Sequence, residues 1–206
     1  WYNDLKIMGL FARLLGREGS PYEELAERVR ASFSDKFWNE SEQCLKDLVS
    51  GEEADNQIRC NQIWAVSQPF SLLDKEKERM VVSKVYETLY TPYGLRSLSK
   101  HDKAFKAIYG GSHFNRDMAY HQGTVWAFPL GAYYLAYLRV NDESLEAVKK
   151  VKEQLEALEP CMREGCIGQI AEIYDGENPS ISQGCFAQAW SVSELLRVFA
   201  KLEKIV

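Results

Sequence analysis

"WYNDLKIMGLFARLLG", residues 1–16, places apolar side chains at helical spacing and stops on a glycine. Leu5, Met8, Leu10, Phe11, Leu14 and Leu15 fall on one broad stripe of a 3.6-residue period, and Gly16 supplies the stop signal. The stretch predicts a helix with this stripe buried. The next stretch, "SPYEELAERVRASFSDKFW" from Ser20, reads the same way, with Ser20 as N-cap, Pro21 at the first helical position and Glu23 completing a capping box. Tyr22, Leu25, Ala26, Val29 and Phe33 are its expected buried face.

Working outward, the pattern predicts a short helix near Asn61–Ser67 and longer ones over about 74–90 and 124–140, where Pro129 is a bend or first-turn residue. The charged, regular "DESLEAVKKVKEQLEALEP", bounded by Asp142 and Pro160, and the closing "CFAQAWSVSELLRVFAKLEK" complete the set. Strand signals are nearly absent, so the expected fold class is all-α, with about seven helices in hairpin order. The segments 39–59, 91–120 and 161–184 read as long loops, and loops longer than about 15 residues in a compact domain are usually functional. Short and long connections alternate, as in a ring of helical hairpins whose functional loops share one face.

Bulk properties exclude some functions. The net charge of −5 is spread over mixed acids and bases, without the basic face that nucleic acid or an anionic membrane requires. No stretch has the length and apolarity of a membrane span. The five cysteines form no CxxC pair and read as thiols of a reducing cytoplasm rather than a disulfide framework. Cys161 and Cys166 lack a partner at zinc-ligand spacing, and neither a metal nor another cofactor is expected. Eleven Tyr, nine Phe and five Trp suit a protein that stacks sugar rings on aromatic faces, although many must be core.

Chemistry-bearing groups concentrate in the loops. "RDMAYHQGTVW" (116–126) gathers Arg116, Asp117, Tyr120, His121, Gln122 and Trp126, which combine hydroxyl-binding groups with a flat apolar wall. The same residues could equally be a structural Arg116–Asp117 pair, a helix cap and a core Trp. "IRCNQIWAVSQPF" (58–70) offers Asn61, Gln62 and Trp64, and "TPYGLRSLS" (91–99) offers Arg96, with the same two readings. Trp190 reads as core. In "IGQIAEIYDGENP" (167–179), Glu172 stands inside an apolar run, where an unpaired buried carboxylate would be costly. It is either the solvent face of an extended segment or an acid held for chemistry, whereas Asp175 and Glu177 look like turn residues. There is no GxSxG, GxxxxGK[ST] or GxGxxG. What is left is a carboxylate among aromatic and polar loops, which points to glycoside hydrolysis.

"FWNESEQCLKDLV", "IRCNQIWAVSQPFSLL", "TPYGLRSLS", "RDMAYHQGTVW", "AEIYDG" and "GCFAQAWSVSELLR" occur in that order. Together they resemble the C-terminal part of glycogen debranching enzymes, their amylo-α-1,6-glucosidase domain. The resemblance begins at "WYNDL", where the family has "LWYNAL", and covers nearly the whole chain. It implies part of an (α/α)6 toroid of the six-hairpin glycosidase type. It also implies that Glu172 is the general base, in an E-x-(F/Y)-D…P…W-S pattern with Tyr174, Asp175, Pro179, Trp190 and Ser191. Arg116, Asp117, His121, Gln122 and Trp126 would line the glucose subsite. The implied substrate is glycogen or a branched α-glucan oligosaccharide, hydrolysed with inversion in the cytoplasm.

Departures from the family pattern are Cys60 where "RPNQ" has Pro, Gln68 where "SLPF" has Leu, and Ala127–Phe128 where "QGTVWPW" continues Pro-Trp. They bear on subsites beyond the first. The family's general acid, an Asp, lies upstream of "LWYNAL". Residues 1–206 are therefore expected to be a single domain portion, base-bearing and inactive alone. The alternatives are a non-catalytic glucan-binding module or a trehalase-like α-glucosidase of the same fold.

Overall fold

The structure is a computed structural model and describes residues 1–205. Its helices are α1 (Tyr2–Leu14), α2 (Ser20–Phe37), α3 (Trp64–Ser67), α4 (Lys75–Thr88), α5 (His113–Tyr120), α6 (Pro129–Val140), α7 (Leu145–Glu156) and α8 (Ala189–Ile205). Two 3₁₀ turns, Cys60–Ile63 and Glu159–Arg163, complete the helical set. None of these helices is long and apolar enough to cross a membrane.

The core sits around α6, which is buried on nearly every side. Leu130, Tyr133, Tyr134 and Leu138 meet Val81, Val82 and Val85 of α4, and the same cluster takes in Val148, Val151 and Leu155 of α7 and Leu195, Val198 and Leu202 of α8. A helix apolar all round is what the centre of such a layer requires. A smaller cluster of Tyr2, Leu5, Ala26 and Leu72 joins α1 to α2. There the backbones approach closely: a Cβ on Gly19 would lie 2.7 Å from the Gly9 carbonyl oxygen, so this crossing needs glycine.

Not all helix starts follow the local sequence signals. Asp74 caps α4 by accepting from the Lys77 amide, and Ser144 rather than Asp142 caps α7 through the Ala147 amide. The capping box expected at Ser20 is absent. Gly19 takes the cap position, the Ser20 hydroxyl bonds Glu18, and Glu23 pairs with Arg13 across the α1–α2 crossing. Tertiary pairing has taken the acid that a local motif would have used.

The α1 stripe is the larger correction. Its buried residues are Tyr2, Leu5, Gly9 and Ala12, whereas Phe11 is 51% and Leu14 74% exposed. Met8, Leu10 and Leu15 are exposed too. On α8, Leu196 and Phe199 lie open beside a buried Leu195–Val198–Leu202 row. An apolar groove of about 870 Å³ between α7 and α8 is walled by Leu155, Ile170, Val192, Leu196 and Phe199.

All-α is also corrected, because nine short strands occur among the described residues. Two are the hairpin β1 (Trp38–Asn39) with β2 (Cys44–Leu45), and two more are β3 (Leu48–Ser50) with β4 (Glu53–Asp55). The rest form one antiparallel sheet in sequence order: β5 (Tyr90–Thr91), β6 (Gly94–Arg96), β7 (Val125–Trp126), β8 (Ile173–Tyr174) and β9 (Ser182–Gln183). Strands of two or three residues are too short to show period-two alternation, which is why they read as loop. The five-stranded sheet ties the 91–120 and 161–184 loops together through β7: Leu95 pairs with Trp126, and Trp126 with Ile173. The helix α5 inside the 91–120 segment was likewise hidden, and residues 124–128 are strand and turn rather than the start of α6.

Candidate active site

The sheet brings Glu172 beside the 116–126 segment. Glu172 immediately precedes β8, and its own amide donates to the Cys185 carbonyl (2.9 Å). Its neighbours Ala171, Ile173 and Tyr174 point into the core and are buried. Glu172 itself is half-buried. One carboxylate oxygen, Oε1, accepts from the Tyr120 hydroxyl. The other, Oε2, accepts from the Cys185 backbone N–H at 2.8 Å. The awkward acid of the apolar run is thus a paired one, as a carboxylate in this setting must be.

An aromatic wall extends from this point. Tyr120 packs against Trp126 (centroids 4.6 Å apart), His121 (4.8 Å) and Tyr109 (5.7 Å). His121 and Trp126 stack nearly parallel, at 4° and 5.4 Å. Trp190 stacks on Phe128 (4.8 Å), and Phe128 in turn on Trp64 (5.9 Å). Trp190 is 46% exposed, which corrects its reading as core. The Trp126 indole N–H donates to the Tyr120 carbonyl, fixing the wall to the end of α5.

Beside this wall is a cavity of about 410 Å³, lined by Asp47, Arg59, Asn61, His121, Gln122 and Trp126, among others. Arg59, which local patterns did not single out, organises it. Its guanidinium donates to the carbonyls of His121 (2.5 Å) and Ser97 (3.5 Å) and to the side chains of Gln57 (2.6 Å) and Gln122 (2.9 Å). It also faces Asp47 at 3.6 Å, with side-chain exposures of only 12% and 17%. Desolvation against the wall, followed by the Arg59 charge, lowers the His121 pKa below its ordinary value and favours the neutral ring. His121 nonetheless remains an exposed residue. Arg59→Ala strips partners from four segments and leaves Asp47 uncompensated. A loss on the order of 3 kcal/mol in urea unfolding is expected; a change within about 0.5 kcal/mol, the usual size for a plain surface substitution, would contradict this account.

Other expected site residues divide. Tyr120, His121, Gln122, Trp126, Asn61 and Trp64 lie on the wall or the cavity, with Asn61 also bonded to Asp47 (2.9 Å). Gln62 is buried and bonded to the Arg59 carbonyl and the Leu45 amide, a structural role. Arg96 donates to the Gly176 and Tyr90 carbonyls, and burial lowers its pKa. Among the described residues Arg116 reaches only the Gly111 carbonyl, and Asp117 pairs with His113 on the exposed side of α5. No ion pair joins Arg116 to Asp117 among the described residues.

Asp175 is not a turn residue but buried, and it accepts from the Tyr109 amide at 2.9 Å. Ser191 is buried and donates to the Ala171 carbonyl, which ties α8 to the residue before Glu172. Among the described residues, no group of three His, Cys, Asp or Glu side chains is placed to hold a metal ion.

Known structures share this architecture. A sialidase aligns with a TM-score of 0.68 at 16% identity, over 92% of this chain and 17% of its own length. The GH63 mannosylglycerate hydrolase of Thermus thermophilus, in complex with glucose, aligns at 0.67 and 17% identity, over 97% of this chain and 45% of its own. The neutral trehalase Nth1 of Saccharomyces cerevisiae aligns at 0.61 and 15%, over 92% and 34%. The chain thus spans less than half the length of each. No curated protein matches the sequence.

The chain shares its fold with the corresponding portions of these enzymes. The chain belongs to the amylo-α-1,6-glucosidase family, whose sequence pattern covers residues 1–197.

Proposed function

We propose that this chain is the base-bearing portion of a glycogen-debranching α-1,6-glucosidase that acts with inversion. The observation that carries the reading is the position of Glu172, held at both oxygens beside an aromatic and polar wall. Family membership supplies the reaction class. Glu172 acts as general base, taking a proton from the water that attacks the anomeric carbon of an α-1,6-linked glucose stub. A second carboxyl group, contributed from outside these residues, protonates the departing glycosidic oxygen. Inversion requires that the two lie roughly 6.5–9.5 Å apart, leaving room for the water. The His121–Trp126 part of the wall receives the glucose ring, and Gln122 and Asn61 meet hydroxyls from the cavity side. Arg116 and Asp117 stay candidates only for contacts made outside this pocket, Gln62 and Arg96 for support of its floor.

The exposed stripes of α1 and α8 and the apolar groove beside α7 support a further part of this reading: residues 1–206 are one portion of a larger catalytic domain. Exposed apolar area of that kind is what further helices of a six-hairpin toroid would cover. The proposed location is cytoplasmic, in keeping with five free thiols, and the proposed partner is glycogen or a branched α-glucan.

The test uses the complete natural protein and a limit dextrin bearing single α-1,6-linked glucose stubs. NMR of fresh product is expected to show β-glucose first. Release of α-glucose would overturn inversion, and dextrin binding without hydrolysis would instead favour a glucan-binding module. Hydrolysis of trehalose in preference to the dextrin would move the substrate class.

A further inference from the structure

Tyr120 stands in the sugar-facing loop, but its hydroxyl is not free for a sugar. It donates to Glu172 Oε1, while the Cys185 amide donates to Oε2, so each carboxylate oxygen is addressed from a different element. These anchors come from the C-terminal end of α5 and from the turn after β9. The room for the arrangement is provided by Gly184. Its φ is +68°, and a Cβ there would stand 2.6 Å from Glu172 Oε2.

Tyr120 is itself held on three sides: the Trp126 indole donates to its carbonyl, and Tyr109 and His121 flank its ring. Burial, together with the hydrogen bond to Glu172, pushes its ionisation well above the ordinary phenol range, so it keeps its proton and can only donate to the carboxylate.

A glutamate side chain otherwise samples several rotamers, and selecting one of them costs conformational entropy. An ionised carboxylate has roughly four lone-pair sites, so two donors leave sites open for a water. We propose that Tyr120 is a positioning residue for Glu172: its hydroxyl and the Cys185 amide hold the carboxylate in the one rotamer that presents a lone pair to the attacking water. This assigns Tyr120 away from substrate contact and rests on the reading of Glu172 as general base. Misplacement of a reacting group by about 1 Å can cost on the order of 10²-fold in rate.

The experiment is steady-state hydrolysis of the limit dextrin by the complete natural protein carrying Tyr120→Phe, with Glu172→Gln measured alongside. Phenylalanine keeps the ring packing and removes only the donor. The expected result is a fall of roughly 10–100-fold in kcat with KM within about threefold. Gly184→Ala, which drives a methyl group toward Oε2, is expected to lower kcat in the same way. A rise in KM with kcat preserved in Tyr120→Phe would overturn the proposal and return Tyr120 to substrate contact. Wild-type kinetics in Tyr120→Phe, with Glu172→Gln inactive, would overturn it while leaving Glu172 as base. Wild-type kinetics in Glu172→Gln would remove the base reading instead. A crystal structure of Tyr120→Phe supplies a readout independent of rate: Glu172 in a new or split rotamer supports the proposal, and an unmoved side chain sinks it.

Discussion

Glu172→Gln is expected to lower hydrolysis of α-1,6-linked glucose by roughly 10²–10⁴-fold, the range that a positioned general base contributes. The substitution suits the site because it is nearly isosteric. The glutamine oxygen can accept from the Cys185 amide, and its NH₂ can donate to the Tyr120 oxygen once that hydroxyl turns away. Neither neighbour is left unsatisfied, so the fold and the wall of Tyr120, His121 and Trp126 should stay in place. Oligosaccharide affinity is therefore expected to change by less than about threefold, because the removed function is proton transfer and not binding. The measurements are kcat on limit dextrin and calorimetric titration of a non-hydrolysed oligosaccharide. Turnover within a factor of about ten of wild type would exclude Glu172 from the reaction.

Trp126→Ala carries the largest expected effect on stability. Trp126 is only 5% exposed, and it is the residue at which β6, β7 and β8 meet. Its ring touches Tyr120, His121, Phe128 and Trp190, and its N–H holds the end of α5. Truncating a buried aromatic of this kind costs about 3–5 kcal/mol. At ~2–4 °C per kcal/mol for a domain of this size, the midpoint of thermal unfolding should fall by on the order of 10 °C. Trp190→Ala is the contrast. It removes a half-exposed ring that stacks on Phe128 from outside, so it should change the midpoint little and weaken glucan binding instead. Equal midpoints for the two variants would show that the wall is not organised around Trp126.

The corrections to the sequence reading share a cause. On α1 the helical period was legible, but two apolar faces were available, and only the close Gly9–Gly19 crossing with α2 selects the one with Tyr2, Leu5 and Ala12. Asp175 looked like a turn acid because its partner, the Tyr109 amide, is 66 residues away. Arg59 gave no local signal at all, since four of its five partners are contributed by other segments. Ser191, by contrast, was legible as part of a motif, and the structure supplies its physical reason in the bond to the Ala171 carbonyl.

What the sequence by itself determined is the set of longer helices and the family. Helical periodicity and most stops are local, written within a few turns of chain, and the order of the loop motifs from Trp38 to Ser191 is a linear property. Only the tertiary structure decided which helix faces are covered, and only there do the segments 91–120 and 161–184 join one sheet through Val125–Trp126. Strands of two residues are defined by their partners rather than by their own composition. The state of Glu172 belongs to the same category. A carboxylate in an apolar run is a liability or an instrument according to what meets its oxygens, and here those groups are a hydroxyl from 52 residues upstream and an amide from 13 residues downstream. Burial and pairing are relations between distant parts of the chain, which is why folding had to settle them.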